Sequence, residues 1–307
     1  MSTSKKAASK LISRTKTYTD RASWLADRKH YIGGSEIAAI LGLSHYRTSY
    51  DVYASKVLGA EPDRDNQRLE AGRYMESGII KWAAERHGWK AEPNDLRVFR
   101  SVEYPWAACT PDAWVGAHGL EVKTAAAHTA RCYPETVPGQ VFDIYPGTEV
   151  EVEPGSWNQY MCQVQWSMAV TGAKLWYLAA AVGYRELRVY AIHRDEEDIE
   201  FLLNAGASFW KCVQQMEPPP MNGAPLAALR RLHPESNGET VELSSAEETL
   251  AGAYLLAKAE EASAKKAKEW AQARLQAALG DSSRGVAGDR VITWSDTKAG
   301  YRRFNVK

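Results

Sequence analysis

Apolar residues recur along this chain with two periods, and the switches between them outline its elements. From residue 66 to 87, Leu69, Met75, Ile79, Ile80 and Ala83 share one helical face, and Gly88 supplies the stop. Ser35, after Gly33 and Gly34, predicts the cap of a helix that runs through Ile40 and ends at Gly42. Short strand-like runs follow at 97–100, 107–110, 112–115 and 120–123, separated by turn residues. A Pro-, Gly- and acid-rich loop is expected over about 128–155. The spacing then predicts a helix over 157–170, strands over 175–181 and 187–192, and a helix over 196–213 closed by Pro218, Pro219 and Pro220. Helix, strands, helix, strands, helix is the order of a mixed α/β domain.

That domain is expected to span 21–220. Residues 1–20 read as a flexible basic arm carrying Lys5, Lys6, Lys10, Arg14 and Lys16. Residues 221–243 read as a linker. In 244–307, Ser244 or Ser245 caps a long Ala/Glu/Lys-rich helix, since each has a Glu three positions on (Glu247, Glu248). The helix should run to Gly280, roughly 50 Å at 1.5 Å per residue. Its apolar stripe is weak, so it either pairs with a partner or folds back on the core. A small hairpin over 291–294 and 302–306 should close the chain. Trp294, Lys298, Tyr301, Arg302 and Arg303 there are either hairpin structure or a nucleic-acid contact.

Composition narrows the class. Of 307 residues, 45% are hydrophobic, enough for a sizeable core. Thirty-eight basic residues balance 38 acidic ones, so no overall positive field draws nucleic acid. The distribution is uneven: no Lys or Arg lies between Arg131 and Lys174, where Glu135, Asp143, Glu149, Glu151 and Glu153 fall. Cys109, Cys132, Cys162 and Cys212 show no zinc-ligand spacing and read as reduced thiols of an intracellular protein. No secretory signal is visible, and no apolar run approaches the ~20 residues of a membrane span.

The candidate chemistry lies at Asp112 and, after eight intervening residues, at Glu121-Val122-Lys123. Residues two apart on a strand share a face, so Glu121 and Lys123 would look into one cleft. If the strand after Asp112 pairs with 120–124, Asp112 comes within reach of Glu121. Two carboxylates, with the Val122 backbone carbonyl, form a hard oxygen site suited to Mg²⁺ or Mn²⁺. Lys123 could then hold a water or stabilise a phosphoryl oxyanion. Taken alone, acid-x-Lys on a strand is also an ordinary solvated face. Glu76 on the preceding helix, and Tyr160 and Gln163 on one face of the following one, tip the balance toward a site.

The motifs together resemble a known family. They include Arg28-x-x-x-Ile32-Gly33-Gly34-Ser35, Gly72-x-x-x-Glu76, Ala108-Cys109-Thr110-Pro111-Asp112 and Gly119-Leu120-Glu121-Val122-Lys123. They continue through Tyr160-Met161-Cys162-Gln163-Val164-Gln165-Trp166-Ser167-Met168, Trp176-Tyr177 and Arg194-Asp195-Glu196. In this order, over residues 24–220, they resemble the lambda-type exonucleases and YqaJ-like phage recombination nucleases of the PD-(D/E)xK superfamily. The resemblance implies a restriction-endonuclease-like α/β core. It also implies a Mg²⁺-dependent 5′→3′ exonuclease acting on double-stranded DNA ends and leaving 3′ overhangs for a single-strand annealing protein. By the family pattern Asp112 and Glu121 bind metal, Glu76 holds a second ion, Lys123 is the catalytic lysine, and Gln163 with Tyr160 positions the nucleophile. Arg28 and Ser35 match the pocket for the 5′-phosphate; Ser35 at a helix start also has a physical reason to face an anion, or is a plain N-cap. A ring-shaped homo-oligomer, trimer or tetramer, in the cytoplasm of a phage- or prophage-bearing bacterium is implied as well. An endonuclease of the same superfamily and a catalytically silent DNA-binding or scaffold module are the alternatives.

Overall fold

The computed structural model describes residues 12–59 and 67–307, which divide into two compact units, one ending at Glu235 and the other Ser236–Lys307. The first unit holds two sheets. Strand β1 (Ser13–Thr17) precedes α1 (Arg21–Asp27), a 3-10 turn Arg28–His30, β2 (Ile32–Gly33), α2 (Gly34–Ile40), α3 (Ser49–Val57) and α4 (Gln67–His87). Then come β3 (Ala91–Pro93), β4 (Arg97–Ser101), β5 (Ala107–Cys109), β6 (Ala113–Val115) and β7 (His118–Ala125). After a 3-10 turn Ala127–Cys132 follow β8 (Val141–Ile144), α5 (Trp157–Thr171), β9 (Leu175–Val182), β10 (Glu186–His193), α6 (Glu196–Gln215) and α7 (Leu226–Leu232).

The main sheet is mixed, in the order β3-β6-β7-β9-β10-β8, with β7 parallel to β9 and β8 parallel to β10. A second sheet, β1-β4-β5-β2, lies on the path into it. The chain leaves β5 in the second sheet and enters β6 in the first through Thr110-Pro111-Asp112, so Asp112 sits at the crossing.

Alternation along β7 sets which side of the sheet carries chemistry. Leu120 and Val122 pack with Ile79, Ile80 and Ala83 of α4 in one apolar cluster. Glu121 and Lys123 project to the opposite side, where Gln163 of α5 meets Glu121. On that side Val164 and Met168 of α5 join Leu178, Ala180 and Val182 of β9 in another buried cluster. Trp166 ties α5 to the second sheet: its buried indole donates to the Ala108 carbonyl at 2.9 Å. Two glycines permit close approaches. A Cβ on Gly119 would fall 2.2 Å from the Trp176 ring, and one on Gly34 would meet Gln163 and Ser167 at 3.3 Å.

The structure departs from the sequence-based expectations in several places. Residues 13–17 are not a loose arm: Ser13–Thr17 pairs antiparallel with β4, Ser13 opposite Ser101. The rest of the expected arm, 1–11, lies outside the described residues, as do 60–66. Gly33, not Ser35, is the N-cap of α2; Ser35 is the second residue of the helix, and the Glu36 carboxylate accepts the Gly33 amide at 2.8 Å. The long acidic loop contains β8, which adds to the sheet beside β10 because Phe142 and Ile144 find Tyr190 and the core. The expected linker contains α7, whose Ala228 is buried and which packs on α3.

The second unit is α8 (Ser245–Leu279) followed by β11 (Arg284–Ala287), β12 (Arg290–Asp296) and β13 (Arg302–Val306). Ser244 caps α8 with a reciprocal bond to Glu247, as the spacing predicts. The expected hairpin is a three-stranded antiparallel sheet, with β12 central. Arg302 is structural there: it stacks over Trp294 at 3.8 Å and donates to the carbonyls of Gly280, Ser282 and Trp294.

Candidate active site

A cleft of about 270 Å³ gathers residues from several elements of the first unit. Glu76 comes from α4, Asp112 from the crossing, Glu121 and Lys123 from β7, Gln163 from α5, and Arg28 and Ser35 from the α1–α2 region. These are seven of the residues expected from the sequence. Tyr160 stands behind them, with the Lys123 ammonium 5.1 Å from its ring centroid.

Strand pairing places the first carboxylates. Ala113 of β6 pairs with Leu120 of β7, and the Asp112 amide donates to the Leu120 carbonyl at 3.1 Å. The Asp112 carboxylate folds back and accepts the Val122 amide at 2.7 Å. Asn94 braces the turn: its side chain donates to the Pro111 carbonyl at 2.8 Å and its amide to the Asp112 carbonyl at 3.0 Å. Glu121 is 3% exposed and accepts from both Lys123 and Gln163 through one oxygen. Val122 therefore contributes its amide to Asp112.

The electrostatics are those of a carboxylate cluster short of positive charge. Burial, then repulsion from Glu121, pushes the Asp112 carboxyl well above the ordinary carboxylate range, with Glu76 adding to it. Glu76 is likewise raised, first by burial and then by Glu121. Burial disfavours the Lys123 ammonium, yet Glu121 and Asp112 outweigh it and hold the amine above its usual range. The Lys123 ammonium thus sits among three acids, with Arg21 also acting on Glu76, and a further cation in the cleft would relieve the repulsion that raises Asp112 and Glu76.

The donors fit a hard divalent ion. They are oxygen-only and line an open cleft, which suits Mg²⁺, an ion that keeps several waters and takes one or two carboxylates. They do not form a closed cage: among the described residues no three His, Cys, Asp or Glu side chains converge on one point. Glu121 is turned to Lys123 and Gln163, and Asp112 to Val122.

Around Arg28 the cleft carries features that the sequence reading missed. Arg28 donates to Ser35 Oγ at 3.4 Å and pairs with Glu36 at 3.2 Å. Glu36 also pairs with Lys56 at 2.6 Å, both fully buried. Trp24, Tyr31, Asn94 and Arg21 line the same cleft. The Tyr31 hydroxyl and the Trp24 indole N–H are buried there without a hydrogen-bond partner among the described residues. The one available signal was Glu36 itself, an acid at the third position of a helix opening on two glycines.

The chain is thus a mixed α/β fold whose central sheet, flanked by helices, carries a carboxylate–lysine cleft. Residues 23–174 match the model of the YqaJ-like viral recombinase domain. The match begins within α1 and ends just before β9, so it includes every expected site residue. The chain is 25% identical over 285 residues to "Uncharacterized protein YqaJ" of Bacillus subtilis (strain 168), covering 89% of this chain and 83% of that one. Among solved structures it is similar to an alkaline exonuclease (LHK-Exo) from Laribacter hongkongensis, at 14% identity and a TM-score of 0.46, over 64% of this chain and 94% of the other. A phage-related exonuclease from Haemophilus somnus 129PT matches at 13% identity and a TM-score of 0.45, over 61% and 94% of the two chains.

Proposed function

We propose that this chain is a Mg²⁺-dependent 5′→3′ exonuclease of double-stranded DNA that acts in phage or prophage recombination. The observation that carries the reading is the convergence of Asp112, Glu121, Glu76 and Lys123 in one cleft that also contains Arg28 and Ser35. The match of residues 23–174 to the YqaJ-like viral recombinase domain supports it.

In this reading Asp112 and Glu121, with the Val122 carbonyl, hold one divalent ion, and Glu76 helps to hold a second. The ion, when bound, supplies charge that polarises the scissile phosphate and acidifies a water. Lys123 places a permanent positive charge where negative charge develops on the phosphoryl oxygens. Tyr160 covers the ammonium on one side and limits its directions. Gln163 donates to Glu121 and leaves its amide oxygen to orient the attacking water. Arg28 and Ser35 take the terminal 5′-phosphate, with the α2 N-terminus contributing its dipole. Degradation from a 5′ end leaves a 3′ single strand for an annealing protein, and a ring-shaped homo-oligomer, trimer or tetramer, would retain the duplex.

Linear and covalently closed circular duplex, each incubated with Mg²⁺ and with chelator, test the reading. The proposal requires loss of the linear form alone, and only with Mg²⁺. Cutting of closed circles would favour an endonuclease; no digestion of either would favour a DNA-binding module.

A further inference from the structure

Arg28 is held from the side away from the carboxylates by a buried charge cluster. Glu36 is 2% exposed and receives four groups: the Lys56 ammonium at 2.6 Å, the Gly33 amide at 2.8 Å, and the guanidiniums of Arg28 at 3.2 Å and Arg47 at 3.7 Å. Lys56 bonds not only to Glu36 but also to the Arg28 carbonyl, at 2.8 Å. The Glu36–Lys56 pair therefore grips Arg28 by its side chain and its backbone at once. Stacking of the guanidinium over Trp24, 5.1 Å away, adds a third restraint. Arg28 forms the wall between the carboxylate cleft and a second cavity of about 370 Å³, which Glu36, Arg47 and Lys56 also line.

The arrangement is costly for a core. A buried ion pair adds little to stability over apolar packing of the same volume. Here one carboxylate faces three cations, an excess of positive charge beside the unpartnered Tyr31 hydroxyl and Trp24 indole. Surplus cations and unused donors together suit an anionic acceptor entering the cleft from outside.

We infer that Glu36 and Lys56 are positioning residues that fix the Arg28 guanidinium for a terminal 5′-phosphate, and so set the preference for phosphorylated ends. The inference rests on the proposed nuclease reading. It assigns the pair a role in end selection, beyond filling the core. Since neither residue touches the substrate, their effect passes through Arg28.

The test uses the full chain, with Glu36→Gln/Lys56→Met as the principal variant, because it removes both charges and keeps the side-chain volumes. A second variant, Lys56→Arg, keeps the charge. Initial rates are compared on linear duplexes with 5′-phosphate and 5′-hydroxyl ends. The double variant should lower the phosphate-to-hydroxyl ratio about tenfold, the loss of roughly one hydrogen bond to a charged group. Lys56→Arg should recover part of it, and adding the double change to Arg28→Ala should lower the ratio no further. In parallel, the ¹⁵N resonance of the Arg28 side chain should report hindered guanidinium rotation in the wild type and free rotation in the double variant. A folded double variant with an unchanged ratio, or with Arg28 still hindered, overturns the positioning role. A wild type without end preference, whose Arg28 is nonetheless freed in the double variant, would defeat the 5′-phosphate reading and leave the mechanical link intact.

Discussion

Replacing Glu36 by Gln should be far more damaging than replacing its partner Lys56 by Met. Glu36→Gln leaves Lys56, Arg28 and Arg47 facing one another with no anion among them, and Lys56 is fully buried. Burial already drops the Lys56 pKa to about 8 despite Glu36, so its charge depends on that carboxylate. Removing one partner of a buried pair costs about 3–5 kcal/mol. Lys56→Met, by contrast, leaves Glu36 with two guanidiniums and the Gly33 amide, and should cost about 1–2 kcal/mol. With about 2–4 °C per kcal/mol for a unit of this size, Glu36→Gln should lower Tm by roughly 6–20 °C.

The same carboxylate sets a pH signature. Burial works against the Glu36 anion, yet Lys56, Arg28 and Arg47 outweigh it and hold its pKa at about 2, below the unfolded 4.5. A lowered folded pKa means that the stabilisation is complete above pH 4.5 and disappears as pH falls toward 2. Its size is about 3 kcal/mol. Lys56 acts at the other end: its lowered pKa penalises the folded state fully below pH 8, and the penalty fades as pH rises from 8 to 10.5. Urea titrations followed by Trp fluorescence between pH 3 and 7 should show the gap between wild type and Glu36→Gln narrowing as pH falls below 4.5. A variant within 1 kcal/mol of wild type at pH 7, or a larger cost for Lys56→Met, would refute the reasoning.

Three further outcomes follow from the cleft. Lys123→Ala should cut the rate on linear duplex by at least about 100-fold while DNA binding, measured by anisotropy with Ca²⁺, persists. Asp112→Asn removes a buried acid whose charged form is disfavoured by burial and by Glu121; without metal the variant should melt a few degrees higher, and the Mg²⁺-induced rise in Tm should shrink. Gly34→Ala places a methyl 3.3 Å from Gln163 and Ser167, which should cost about 1–3 kcal/mol in thermal unfolding and lower kcat as Gln163 moves.

What could be read from the sequence was what repeats locally. The Asp112 and Glu121-Val122-Lys123 spacing, the alternation on β7 and the one-face pairing of Tyr160 with Gln163 each lie within one element or one turn of another. The buried Glu36–Lys56 pair was not legible, because its members are 20 residues apart and each reads as a solvated polar position. Strand β1 was missed because its residues, Ser-Arg-Thr-Lys-Thr, carry no apolar alternation, and its place comes from the backbone ladder to β4. Strand β8 was hidden in an acid- and Pro-rich stretch, where two of its four residues are exposed. Ser35 was read as a cap because hydroxyls usually are; with Glu36 bonding the Gly33 amide, the helix starts earlier and the hydroxyl is left facing Arg28.

The most direct test is digestion of a linear duplex labelled at one 5′-phosphorylated end, with wild type and Asp112→Asn side by side. Wild type should release the label in its earliest products, only with Mg²⁺, while Asp112→Asn leaves it on full-length strands. Label retained by wild type while the opposite ends are shortened, or release that is independent of Mg²⁺ or of Asp112, would contradict the exonuclease reading.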